Sequence, residues 1–222
     1  LSDKVNPKLK LKHQVYDIND VEVHLCSLLD NQQFNDDKGR AEEMGISSAQ
    51  WPLFGQIWDS SIVLANHMSK IDLKGQKILE IGCGIALASH FLNQQGENIT
   101  ATDYHPDVES FLKENAKLNE QEEIPFKLVD WSNLDSKLGR FNLIIGSDLL
   151  YMQDHPDKLA SFINKHADAN SVVIIVDPGR KLVNEFTRLM HLNEFKHESI
   201  IPSNLTGTSK PFKGLIHYYA RF

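Results

Sequence analysis

Ile78-Leu-Glu-Ile-Gly-Cys-Gly-Ile-Ala-Leu-Ala88 is the stretch whose reading decides the fold. It opens as an apolar, β-branched segment of the kind found in strands buried on both faces. Two glycines one residue apart then turn the chain, and an Ala/Leu run starts a helix. In an open α/β sheet, a strand feeding a glycine turn and a helix marks the carboxyl edge where nucleotide-like ligands bind. The dinucleotide fingerprint G-x-G-x-x-G, begun at Gly82, requires glycine at position 87, where this chain has Leu87. The spacing present is acid-x-G-x-G-x-small, carried by Glu80, Gly82, Gly84 and Ala86.

Working outward, apolar β-branched runs alternate with amphipathic stretches from Ile78 onward, the pattern of a parallel sheet covered by helices on both faces. Strands are expected at 77–81, 98–102, 125–129, 141–147 and 171–176. After Pro106, Val108, Phe111, Leu112 and Leu118 form one apolar helical stripe, with Pro106 in the first turn and Glu109 facing Lys113 at i,i+4. A helix at 182–192 is followed by two strand-like segments, 195–201 and 215–221, separated by a Pro/Ser/Asn/Gly/Thr loop. Two successive strands without a helix predict an antiparallel hairpin at the sheet edge, for seven strands in all. Upstream, 9–16 and 21–29 alternate around Asp17 to Asp20 as a separate hairpin, 31–50 reads as polar loop, and Asp59 or Ser60 is expected to cap a helix through Met68. The fold class is therefore α/β: a Rossmann-like, seven-stranded, mostly parallel sheet with helices on both faces, an antiparallel C-terminal edge hairpin and an N-terminal β-hairpin extension. Residues 1–55 form the extension and 56–222 the main domain.

The 222 residues, with 41% hydrophobic and 24% charged side chains, have ordinary globular composition. Apolar runs such as Val172 to Val176 fall far short of the roughly 18 residues a membrane helix needs. Lys4, Lys8, Lys10 and Lys12 precede no apolar segment, so no secretory signal is expected. A net charge of -7 argues against a general nucleic-acid binder, which exploits a basic surface. Residues 180–222 carry seven Lys/Arg against three Glu, an excess read as a solvated surface. Cys26 and Cys83 form neither a CxxC pair nor a disulfide framework, which fits a reducing cytoplasm, and the ten histidines show no zinc-ligand spacing, so no metal is expected.

The acid-x-G-x-G-x-small pattern resembles motif I of the class I, seven-strand S-adenosylmethionine-dependent methyltransferases. The resemblance implies that Gly82 and Gly84 admit the methionine part of the cofactor and that Glu80 supplies a carboxylate near its ammonium. Asp103, in Ala-Thr-Asp-Tyr104, closes the next strand and would accept both ribose hydroxyls. Asp130 would accept the adenine amino group, with Trp131 against the ring. After the fourth strand comes Gly146-Ser147-Asp148-Leu-Leu-Tyr151; the Pro-Pro pair of enzymes that modify nucleobase amines is missing. This Asp-x-x-Tyr looks like the motif of the family-16, nicotinamide N-methyltransferase-like protein-lysine methyltransferases. Gly45-Ile-Ser-Ser-Ala-Gln-Trp-Pro-Leu-Phe-Gly-Gln-Ile-Trp58 and Asp177-Pro-Gly-Arg180 agree with that family's bacterial branch.

What the resemblance implies is an N-methyltransferase acting on a protein lysine. S-adenosylmethionine is the cofactor and S-adenosylhomocysteine the product, with Trp58, Glu80, Gly82, Gly84, Asp103, Tyr104, Asp130, Trp131 and Ser147 around the cofactor. Asp148 and Tyr151 would orient the amine, with Tyr151 also excluding water. Trp51 is read as a packing residue, and Asp177 and Arg180 either as part of the pocket rim or as a Pro-Gly turn with a solvated arginine. The partners implied are a protein lysine or a small amine, with no membrane and no nucleic acid, and the unit is expected to be a cytoplasmic monomer. A small nicotinamide-like amine acceptor and a catalytically silent cofactor-binding module stay open as alternatives.

Overall fold

The computed structural model describes residues 4–133, 137–203, 207, 208 and 210–222. Strands β1 (Leu11–Ile18) and β2 (Val21–Leu28) pair antiparallel as a separate two-stranded sheet. Asn19 and Asp20, both at positive φ, form their tight turn, the geometry that matches hairpin twist. A short helix α1 (Arg40–Glu43) and a single 3-10 segment (Trp51–Gly55) lead to α2 (Asp59–Met68). The alternating part follows as β3 (Lys77–Ile81), α3 (Leu87–Gln94), β4 (Asn98–Asp103), α4 (Val108–Leu118), β5 (Phe126–Leu128), β6 (Phe141–Ser147), α5 (His155–His166) and β7 (Ala167–Asp177). Helix α6 (Val183–Leu192) and strands β8 (Lys196–Ile200) and β9 (Leu215–Arg221) close the chain.

The seven strands are ordered β5-β4-β3-β6-β7-β9-β8, with β9 antiparallel to both neighbours and the rest parallel. The chain thus winds outward from β3 in one direction and from β6 in the other, leaving a crevice where their carboxyl ends diverge. The period of two divides the sheet cleanly. Ile78, Leu143, Ile145, Ile174 and Val176 pack with α2, α3 and α4, whereas Leu79, Ile81, Ile144, Val173 and Ile175 pack with α5 and α6. Ile18, Val23, Leu25 and Leu28 of the hairpin belong to the first of these clusters.

Side-chain amides join the hairpin to α4. Asn115 Oδ1 accepts the Cys26 N–H at 2.7 Å and Asn115 Nδ2 donates to the Cys26 carbonyl at 3.2 Å; Asn119 does the same for His24 at 2.8 and 2.7 Å. One turn of helix and two residues of strand advance by similar lengths, so Asn115 and Asn119 substitute for a third strand along the outer edge of β2.

Several expectations are corrected. Residues 31–50 contain α1 rather than loop throughout. Neither Asp59 nor Ser60 caps α2: extended Trp58 holds the cap position, and Ser60 is buried inside the first turn. Pro106 precedes the α4 cap residue Asp107 instead of lying in the first turn. Leu118 is exposed, and Asn115 and Ala116 take its place on the buried face because Asn115 is committed to the hairpin. The expected i,i+4 pair is present, with Lys113 Nζ 3.2 Å from Glu109 Oε1. The loop between β8 and β9 falls in part on residues 204–206 and 209, outside the described residues.

Replacing Asn115 by Ala leaves the Cys26 N–H and carbonyl without partners, and unsatisfied buried groups cost roughly 1–3 kcal/mol each. Urea denaturation of Asn115→Ala is expected to show a loss of about 2–6 kcal/mol, and of the less buried Asn119→Ala a smaller one.

Candidate active site

The crevice at the β3/β6 divergence opens into a cavity of about 390 Å³. Its floor is the β3–α3 turn. Gly82 and Gly84 sit at φ 59° and 53°, and a Cβ at either would lie 2.6 Å from Leu149 Cδ2 or 2.9 Å from the Phe54 carbonyl oxygen. Position 84 therefore favours glycine on two independent grounds, whereas at Gly82 the left-handed backbone is the main one, because the Leu149 side chain can shift. Ala86 also adopts a left-handed conformation, φ 58°, and offers α3 no capping side chain.

Glu80 supplies that cap from below. Its Oε2 accepts the Ser89 N–H at 3.0 Å and the Ser89 hydroxyl, and the side chain is buried. Desolvation foremost, with Asp103 adding negative charge against the Ser89 hydrogen bonds, raises its pKa to about 7. Glu80 lies behind the cavity wall, bonded to the start of α3. Asp103 does reach the wall. Each of its oxygens already holds a backbone N–H, Gly84 at 2.9 Å on Oδ2 and His105 at 2.8 Å on Oδ1. Only its remaining lone pairs are available to a ligand, so Asp103 first serves to tie the glycine turn to the end of β4.

Trp58, Gly82, Gly84, Tyr104, Asp130, Trp131, Ser147, Asp148 and Tyr151 all line the same cavity, so the structure brings together every expected site residue except Glu80. Trp58 anchors its ring by donating from Nε1 to the Leu53 carbonyl at 3.2 Å. Asp130 Oδ1 accepts the Ser132 N–H at 2.8 Å, holding the turn that presents Trp131. Trp51 lies outside this wall, fully buried and edge-on to Phe34, Phe54 and His105, as a packing residue should be.

Past β6 the backbone is strained. Asp148 has φ 56° while its N–H donates to the Val176 carbonyl at 2.9 Å, a conformation that persists only where surroundings over-determine it. Asp148 Oδ1 accepts Arg180 Nε at 2.5 Å. Arg180 is delivered by the turn after β7, where buried Asp177 Oδ1 accepts the N–H groups of Gly179 at 2.8 Å and Arg180 at 2.6 Å. The guanidinium carbon lies 5.6 Å from the centroid of the Tyr151 ring, whose hydroxyl hydrogen-bonds to Tyr104.

Sequence reasoning missed His155, at the first position of α5. Its Nδ1 donates to the Leu149 carbonyl at 2.6 Å, and its ring meets Trp131 and Tyr151 edge-on. Burial lowers its pKa, so the ring on the cavity wall is neutral near pH 7. The dipeptide His155-Pro156 opening a helix four residues after Tyr151 was the available signal. Phe54 and Met152 were missed as well, because nothing in local sequence places the 3-10 segment over the glycine turn.

Among solved structures, the fold is similar to a TehB-like SAM-dependent methyltransferase from Corynebacterium glutamicum, with a TM-score of 0.57 at 17% identity over 76% of this chain and 90% of that one. It is also similar to the T. Thermophilus 16S rRNA N2 G1207 methyltransferase in complex with AdoMet and guanosine, with a TM-score of 0.58 at 11% identity over 97% and 52%. The fold is thus that of the class I methyltransferases. The family described as lysine methyltransferase matches residues 42–192, and this chain belongs to it. Curated relatives include Protein N-lysine methyltransferase METTL21A of Danio rerio, 29% identical over 58% of this chain and 63% of that protein. The Histidine protein methyltransferase 1 homolog of Dictyostelium discoideum is 33% identical over 52% and 40%. In both cases the matched stretch spans less than two thirds of the relative.

Glu80 generates a pH test. Its pKa is raised from 4.5 to about 7, so the folded chain keeps a proton that the unfolded chain loses between those values. Its contribution to stability is present below about pH 4.5 and lost as pH rises to about 7. Glu80→Gln is therefore expected to gain stability relative to wild type between pH 5 and 8 in urea denaturation, with no further gain above pH 8.

Proposed function

We propose that this protein is an S-adenosylmethionine-dependent N-methyltransferase acting on protein lysine amines. The observation that carries the reading is the convergence of Asp148 and Tyr151 with the glycine turn, Asp103 and Asp130 on one cavity of about 390 Å³. That volume is in the range of small-ligand sites. The wall combines bare glycine backbone, carboxylates at the ends of β4 and β5 and the aromatic faces of Tyr104 and Trp131, a set that suits an amino-acid group, ribose hydroxyls and a purine ring.

When bound, S-adenosylmethionine supplies an electrophilic methyl group on a sulfonium sulfur and leaves as S-adenosylhomocysteine. The residues that hold it in this reading are Trp58, Gly82, Gly84, Asp103, Tyr104, Asp130, Trp131 and Ser147, with Glu80 holding the start of α3 from beneath through Ser89. The chain's remaining task is to present a neutral amine in line. A lysine of pKa ~10.4 is protonated at pH 7, and deprotonating it costs about 4.6 kcal/mol. Desolvation beside the Tyr151 ring offsets part of that, and orientation of the amine by Asp148 and Tyr151 adds the proximity effect.

The mouth favours a protein acceptor over a free small amine. Met44, Trp58, Tyr151 and Met152 line the cavity and are also exposed, so the rim is apolar where a side chain on a protein surface would enter. Two free buried cysteines fit the cytoplasm. The bacterial branch rests on the two stretches quoted earlier.

Saturation with S-adenosylmethionine at 100 times Kd is expected to add about 2.7 kcal/mol, or roughly 5–10 °C in thermal unfolding. A shift with NAD and none with S-adenosylmethionine or S-adenosylhomocysteine would contradict the reading. Asp148→Ala is expected to abolish methyl transfer while leaving cofactor affinity, measured by calorimetry, within a few fold; equal loss of both would remove its assigned role.

A further inference from the structure

A carboxylate alone beside the acceptor has the wrong electrostatic sense, because it stabilises the ammonium that cannot react. Asp148 is not alone. Arg180 Nε sits 2.5 Å from Asp148 Oδ1, leaving Oδ2 as the oxygen outside this contact, and the guanidinium also lies over the Tyr151 ring. Asp177 fixes the turn that brings Arg180 there, so the pair is built by the backbone and not by a chance surface encounter.

We propose, resting on the amine-methylation reading above, that Arg180 is a positioning residue acting through Asp148. It locks the carboxylate so that one oxygen accepts from the amine, and its positive charge cancels the field that would otherwise keep the amine protonated. A cation close to a reactive amine lowers that amine's pKa. The surrounding charges make Arg180 the group that matters. The cavity wall carries the carboxylates of Asp103, Asp130, Asp148 and Asp154, against Lys158 and Arg180 as its cations among the described residues. Lys158 is taken by Asp154 at 2.7 Å, His155 is held neutral by burial, and Asp177, off the cavity wall, accepts from its turn through Oδ1 and interacts with the charges of both Asp148 and Arg180. Without Arg180, Asp148 would face the amine uncompensated.

The test is the pH dependence of labelled methyl incorporation from S-adenosylmethionine into dialysed cell-lysate protein, at saturating cofactor, from pH 6 to 10. Arg180→Gln is expected to move the midpoint of the alkaline-rising limb upward by about one pH unit and to lower the rate at pH 7 about tenfold. Arg180→Lys, which keeps the charge, is expected to restore most of the midpoint though less of the rate, since lysine lacks the guanidinium fork. Cofactor affinity by calorimetry should stay within about threefold in both. An unchanged midpoint in Arg180→Gln, or a loss of cofactor affinity in proportion to rate, would overturn the role. Absence of methyl incorporation by wild-type protein that binds the cofactor would instead overturn the amine-methylation reading, and this inference with it.

Discussion

The turn between β3 and α3 is held by two buried carboxylates, and the cavity exists because that arrangement holds. Asp103 pulls the Gly84 N–H toward the end of β4, while Glu80 caps α3 through Ser89. Burying two acids near one another raises the pKa of both, with desolvation the leading cause in each. The arrangement is tolerable because each acid receives backbone N–H donors, and because positive-φ glycines let the chain pass between them. Ligand chemistry then has a floor of bare backbone with the Asp103 carboxyl group at its edge.

A second node lies across the sheet. The turn after β7 is organised by Asp177, and through Arg180 it reaches back to Asp148 at the end of β6. The strained backbone of Asp148 is held from the other side by its hydrogen bond to the Val176 carbonyl. Two adjacent parallel strands therefore fix one side chain by both its main chain and its carboxylate. In the proposed mechanism this rigidity is what keeps an amine in line at the cavity, and it comes from the sheet itself and not from a mobile loop.

Much of this was legible in local pattern. Strands β3, β6 and β9 match the expected bounds because each is a dense β-branched or aromatic run flanked by turn residues. β7 was read short, since Ala167, Asp168, Ala169 and Asn170 carry no strand signal and are ordered by pairing: Ala167 opposes Phe141 on β6. Glu80 was placed on the correct strand, but its hydrogen bonds to Ser89 were not foreseen. A motif shows that an acid stands two residues before a glycine, not whether it points to the cavity or to the helix above. Asp148 and Arg180, 32 positions apart in sequence, show the deeper limit, since their pairing is set by the order of β6 and β7 in the sheet. The amide ladder from Asn115 and Asn119 was unreadable for the same reason, because an asparagine on a helix declares nothing about a hairpin 89 or 95 residues away.

In the proposed function, methyl groups pass through this cavity to protein amines. The most direct measurement is mass spectrometry of a cell lysate incubated with the protein and S-adenosylmethionine carrying a deuterated methyl group, with Asp148→Ala as the control. The expected result is label on lysine side-chain nitrogens of one or a few proteins with wild type and none with the variant. Label confined to small molecules, nucleic acid or histidine rings, or label equal in the two samples, would contradict it.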